Sequence, residues 1–241
     1  MDSNFRIYNH VSSAARIDSI LAQPQGNYEE VNALPDRDKL TYSNGFYAYC
    51  SALFVDIRDS STLPQTYKRP KLAKLYRSFI SEMVAVMNGI STVREVNIVG
   101  DCVWAVYNTP QRDNIDDVFA VAAQGHSLVK ILNYKLEKAG YTQLLRCGFG
   151  MEYGRALMVK AGYSGSGIAD VIYMGDVVNQ SAKLASQGSK GWAPPIMVGN
   201  TFASNLNDEN SRLIQKDWSR DCYTGSVINL VMEDWYQENC K

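Results

Sequence analysis

The chain has 241 residues, 46% hydrophobic and 20% charged, a balance that supports a packed core and argues against a chain disordered by default. Its 24 basic and 25 acidic residues leave a formal net charge of −1, which argues against bulk polyanion binding and hence against a nucleic-acid partner. No apolar run approaches the roughly 20 residues that span a bilayer, the start MDSNFRIYNH lacks a signal-peptide pattern, and five dispersed cysteines read as reduced thiols, so a cytoplasmic protein with no membrane partner is expected.

Residues 1–41 read as an N-terminal arm and residues 42–241 as the main domain. In the arm, Ser12 to Leu21 predicts a short helix with Ile17, Ile20 and Leu21 on one face, and the stretch to Pro35 reads as an extended connection. Ala48 to Asp56 is an apolar run of strand length ending on an acid. After Pro70, Leu72, Leu75, Tyr76, Phe79, Ile80, Met83, Val84 and Met87 recur at helical spacing, and Asn88-Gly89 ends the run. Val93–Val99 and Cys102–Tyr107 read as a hairpin about Gly100-Asp101. A second long helix is expected over Ile115–Ala139. Strands follow at Leu144–Met151, Ala156–Val159 and Val171–Met174, then a helix at Asp176–Ser186 and strands at Pro195–Val198 and Val227–Met232. This order is an α+β, ferredoxin-like βαββαβ plan: an antiparallel-rich sheet with two helices on one face, plus the short arm.

Asp56 ends the first strand of that plan and Asp101 lies in the following hairpin turn. A βαββ layout can set the first strand beside the hairpin and bring the two carboxylates to one edge. With only His10 and His126 in the chain, such a pair suits hard Mg²⁺ or Mn²⁺ ions. Taken singly, each has an ordinary alternative, Asp101 as turn chemistry and Asp56 as a helix cap. The polar turn Arg58, Asp59, Ser60, Ser61 leaves backbone N–H groups free to cradle phosphates, although no GxxxxGK[ST] loop is present.

At these residues the sequence resembles the class III adenylate and guanylate cyclase catalytic domain. The resemblance is carried by four motifs in family order: Leu53-Phe54-Val55-Asp56-Ile57-Arg58-Asp59-Ser60-Ser61; Ile98-Val99-Gly100-Asp101-Cys102-Val103; the spaced glycines of Arg146-Cys147-Gly148-Phe149-Gly150-Met151-Glu152-Tyr153-Gly154; and Gly175-Asp176-Val177-Val178-Asn179-Gln180-Ser181-Ala182-Lys183. The resemblance implies that Asp56, Asp101 and the Ile57 carbonyl hold two divalent ions, Mn²⁺ or Mg²⁺, per site. It implies that Asn179 orients the ribose and that Lys183, where the family has arginine, offers charge to the transition state without a bidentate fork. It further implies a homodimer with shared active sites. Lys216 and Arg220 are candidates for the late-strand group that grips the triphosphate.

The family reads its base with two side chains, at positions that fall here on Asn97 and Ile172, with Tyr49 and Tyr47 nearby. Neither purine pattern is met, since isoleucine offers no hydrogen bond. In this the chain is similar to the pyrimidine cyclases of bacterial Pycsar antiphage systems. That likeness implies conversion of a pyrimidine nucleoside triphosphate, UTP foremost, to the 3′,5′-cyclic monophosphate. It also implies an antiviral-defence role in which the product acts on a separate effector protein. The alternatives are a cytidylate cyclase, an adenylate or guanylate cyclase with atypical base residues, and a catalytically dead nucleotide-binding module.

Overall fold

The computed structural model describes residues 5–241. Helix α1 (His10–Leu21) opens at Asn9, whose side chain accepts the Ser12 N–H and so caps the first turn. The stretch read as an extended connection contains a strand, β1 (Tyr28–Val31), paired in parallel with the start of β2 (Gly45–Ile57). Its physical reason is an open edge. β4 (Cys102–Tyr107) pairs with Ser51–Asp56 of β2, and β1 occupies the stretch beyond, Gly45–Ala48.

After β2 come the short α2 (Leu63–Thr66), the long α3 (Arg69–Met87), β3 (Val93–Val99), β4, α4 (Arg112–Lys138) and β5 (Cys147–Tyr163). These give the order β3-β4-β2-β5 with every neighbouring pair antiparallel, the expected βαββαβ sheet. Beyond it lie β6 (Ile168–Met174), α5 (Asp176–Ala185), β7 (Ile196–Val198), α6 (Asn200–Asn205), α7 (Asp208–Ser211), β8 (Gln215–Asp217), β9 (Cys222–Gly225) and α8 (Leu230–Asn239).

The sheet has a core on each face, as the period of two in β2 requires. Leu53, Val55 and Ile57 pack with Phe79 and Met83 of α3 and Phe119 and Ala122 of α4. Ala52 and Phe54 point the other way, among Met158 of β5, Tyr173 of β6, Val177 of α5 and the arm's Leu34 and Leu40.

Two expectations are corrected. The strands placed on either side of Gly154 are one continuous strand, because Gly154 pairs in register with Cys50 and the ladder runs through it. The apolar run from Val227 to Met232 is not a strand. Asn229 accepts the Met232 N–H, a helix cap, and Leu230 onward is α8.

Candidate active site

Asp56 stands opposite Cys102 in the β2–β4 ladder, which places it next to Asp101 at the end of the β3–β4 hairpin. Gly100 takes φ +63°, a left-handed conformation natural to glycine, and closes that turn. Ile57 is buried in the core, so only its backbone is available to the site. The two carboxylates feel one another: burial raises the Asp56 pKa most, Arg58 opposes this, and Asp101 pushes it up further. Burial together with both aspartates lifts the Cys102 thiol to about 12. Asp101 Oδ2 is buried and accepts no hydrogen bond. Among the described residues no group of three or more His, Cys, Asp and Glu side chains gathers. The corner is therefore a two-carboxylate, all-oxygen site, and its orphaned oxygen fits a hard divalent ion.

The turn after Asp56 is occupied differently from expectation at its first residue. Arg58 forms an ion pair with Asp56 Oδ2, and its Nη1 donates to the Ser186 carbonyl at 2.7 Å. Its own N–H goes to the Arg146 carbonyl. Arg58 therefore neutralises a metal-corner carboxylate and ties it to the end of α5. Asp59, at φ +56°, pairs with Arg146 at 2.7 Å. Ser60 and Ser61 begin a 3₁₀ turn, whose first N–H groups have no partner within the turn.

Helix α5 carries the other expected residues. It starts at Gly175 (φ +144°), where a Cβ would stand 2.9 Å from the Arg155 carbonyl oxygen. It then lies directly on Gly148 and Gly150 of β5. A Cβ on Gly150 would come 2.1 Å from the Ala185 nitrogen, so the spaced glycines let the helix backbone touch the sheet. Asn179 and Lys183 sit one turn apart and both are exposed. Lys183 lines a cavity of about 470 Å³ with Tyr47, Arg155, Arg220 and Asp221, and neither Asp56 nor Asp101 lines it. Lys216 Nζ donates to Asn200 at 2.6 Å and Asp221 at 2.9 Å, beside that cavity, while Arg220 pairs with Asp217 at 2.6 Å. The late-strand cations and Lys183 thus converge on one side, and the acidic corner lies elsewhere.

The expected base-reading residues do not gather in one chain. Asn97 of β3 is paired with Trp104, which stacks on Phe54 with centroids 4.9 Å apart. Its Nδ2 is buried without a hydrogen-bond partner. Tyr49 instead stacks on Tyr153, under the Arg155 guanidinium, on the face of β2 opposite Phe54 and Asp56. Ile172 is exposed between buried Val171 and Tyr173, so Tyr173 rather than Ile172 points into the core that Phe54 and Trp104 share. Sequence reasoning missed Tyr173 and also Glu95, whose side chain is 8% exposed. The signal for Glu95 was available, since residues two apart in a strand share a face.

Residues 44–220 match the family model described as the adenylate and guanylate cyclase catalytic domain. The chain is 35% identical to a uridylate cyclase of Gulbenkiania mobilis, over 99% of this chain and all of that one. It is 34% identical to a uridylate cyclase of Treponema porcinum, over 95% of this chain and 80% of that one. In fold it is similar to a class III adenylyl cyclase-like ATP-binding protein from Pseudomonas aeruginosa, with a TM-score of 0.72 at 18% identity, covering 92% of this chain and 48% of that one. It is also similar to the adenylyl cyclase CyaB of P. aeruginosa, with a TM-score of 0.61 at 19% identity, covering 71% and 85%.

Proposed function

The chain belongs to the adenylate and guanylate cyclase family, and from that premise we propose that it converts UTP to 3′,5′-cyclic UMP and diphosphate. The observation that carries the reading is the corner formed by Asp56 and Asp101, with a buried carboxylate oxygen left open on the same sheet edge. Asp56, Asp101 and the Ile57 carbonyl would hold two Mn²⁺ or Mg²⁺ ions, which would supply positive charge to the ribose 3′-oxygen and the triphosphate. The 3′-oxygen bonds to the α-phosphorus, its proton leaves, and the α–β bridging oxygen departs with diphosphate. Asn179 orients the ribose, Lys183 faces the developing charge, and Lys216 and Arg220 meet the outgoing phosphates. The first turn after Asp56, with Ser60 and Ser61, offers backbone N–H groups to the same phosphates.

The site is completed by a second copy of the chain. In this reading one protomer supplies the acidic corner and its partner supplies α5, which accords with a Lys183 cavity that neither Asp56 nor Asp101 lines. The product then acts as a messenger on a separate effector protein in antiviral defence, which loss of phage protection in an Asp101→Ala strain would test.

Purified protein given equal UTP, CTP, ATP and GTP with Mn²⁺ is expected to yield mainly cyclic UMP by mass spectrometry. A product that is mainly cyclic AMP or cyclic GMP refutes the pyrimidine reading and leaves family membership intact.

A further inference from the structure

Glu95 Oε2 and Asn97 Nδ2 on β3 and the Tyr173 hydroxyl on β6 are buried, and none makes a well-formed hydrogen bond. Buried polar atoms are nearly always well partnered, so a group that holds only weak contacts among its own members and a 3.5 Å ion pair to Arg37 is free to re-pair with a ligand. Glu95 is the centre of the group. The Asn97 amide and the Tyr173 hydroxyl reach its carboxylate as weak hydrogen-bond donors that hold its pKa down. Arg37 from the arm stands 3.5 Å from Glu95 Oε2 as an ion pair and bonds Asp170 of β6 at 2.6 Å. It makes no hydrogen bond to Glu95 and favours the ionised carboxylate against the burial that raises its pKa. The stacked Phe54 and Trp104 supply a flat apolar wall beside Asn97. Tyr173 continues through Gly175 into α5, so it shares one segment with Asn179.

We propose that Glu95, flanked by Asn97 and Tyr173, reads the pairing edge of uracil. The sequence of groups is donor, acceptor, donor: amide Nδ2, carboxylate, hydroxyl. Uracil presents the complement, carbonyl O4, N3–H and carbonyl O2. Cytosine and adenine each set an acceptor nitrogen against the carboxylate, which leaves two lone pairs opposed and a buried group unpaired. Tyr173 takes the role that the sequence assigns to Ile172, because strand alternation turns Ile172 outward and Tyr173 inward.

This inference rests on the UTP reading, and two variants separate the failures. Glu95→Gln makes the central group able to donate, and a flipped Asn97 amide can then accept from the cytosine amino group. In a mixture of equal UTP and CTP, the ratio of cyclic CMP to cyclic UMP is expected to rise at least about tenfold. Tyr173→Phe removes the donor to O2, an atom both pyrimidines carry. It is expected to lower kcat/KM about tenfold for UTP and CTP alike, leaving the product ratio within about twofold of wild type. Thermal melts confirm that each variant is folded. A wild-type protein that makes no cyclic UMP refutes the UTP reading itself. A wild type that makes cyclic UMP while folded Glu95→Gln keeps its product ratio overturns this proposal. If Glu95→Gln does not fold, Tyr173→Phe decides, and unchanged UTP kinetics in that variant overturn it equally.

Discussion

The acidic corner and the cationic cavity are built on opposite electrostatic terms. At the corner, burial lifts the Asp56 pKa, Asp101 lifts it further, and Asp101 Oδ2 has no hydrogen-bond partner. Around the cavity the charges are exposed or already paired, Lys216 with Asp221 and Arg220 with Asp217. Surface pairs of this kind are worth at most about 1 kcal/mol, so a triphosphate can replace them at little cost. Arg58 offsets part of the charge at Asp56, while the buried Asp101 Oδ2 keeps no hydrogen-bond partner. The corner is therefore a partly buried acidic pair, and the cavity is a set of exposed, exchangeable contacts.

The largest effect is expected from removing the corner. Asp56→Ala or Asp101→Ala should lower cyclic nucleotide formation by about 10³-fold or more, the loss of several kcal/mol of charge stabilisation, with circular dichroism unchanged. Mixing Asp101→Ala chains with Asn179→Ala chains should then restore roughly a quarter of wild-type activity, since half of a random population is mixed dimers with one intact site. Retained turnover in either aspartate variant at matched metal breaks the assignment of the corner. No recovery despite demonstrated subunit exchange breaks the shared site.

A smaller effect is expected where α5 rests on the sheet. Gly150→Ala drives a methyl group against the Ala185 nitrogen and the Ser181 carbonyl, both about 2 Å from the new atom. It should cost about 3 kcal/mol in denaturant unfolding and lower activity by shifting Asn179 and Lys183 together. Wild-type stability in this variant would show that the glycine stripe does not set the helix position.

The smallest effect is a slope. Asp56, Glu95 and Glu152 all have folded-state pKa values raised chiefly by burial. Each holds its proton more tightly in the folded chain than in the unfolded one. Stability of the metal-free protein is thus favoured below those values and declines as pH rises through them, above the ordinary carboxylate range. Asp217, lowered to about 2 by Ser219 and Arg220, contributes in the opposite sense, and its share is lost only in strong acid. Asp56→Asn should flatten the decline measured by urea unfolding as pH rises above the ordinary carboxylate range. A variant slope equal to that of wild type would show that Asp56 is not held in this state, and that the corner and the cavity differ less than their burial implies.

Much of this molecule follows from local pattern. The helical spacing from Leu72 to Met87, the Gly100-Asp101 hairpin and the run ending at Asp56 fix the elements α3, β3–β4 and β2, because periodicity and turn chemistry act over a few residues. Their order in the chain then sets the strand neighbours that bring Asp56 beside Asp101. What the sequence left open depends on partners distant in the chain. β1 became a strand because a stretch of the β2 edge was free, and Val227–Met232 is held as a helix start against α4, where Ser127 Oγ accepts the Asn229 N–H. The sequence set Ile172 with Asn97 as base readers, but the outward turn of Ile172 depends on which side of β6 meets the core. Alternation along a strand gives two faces, and only packing against the rest of the sheet decides which face is buried.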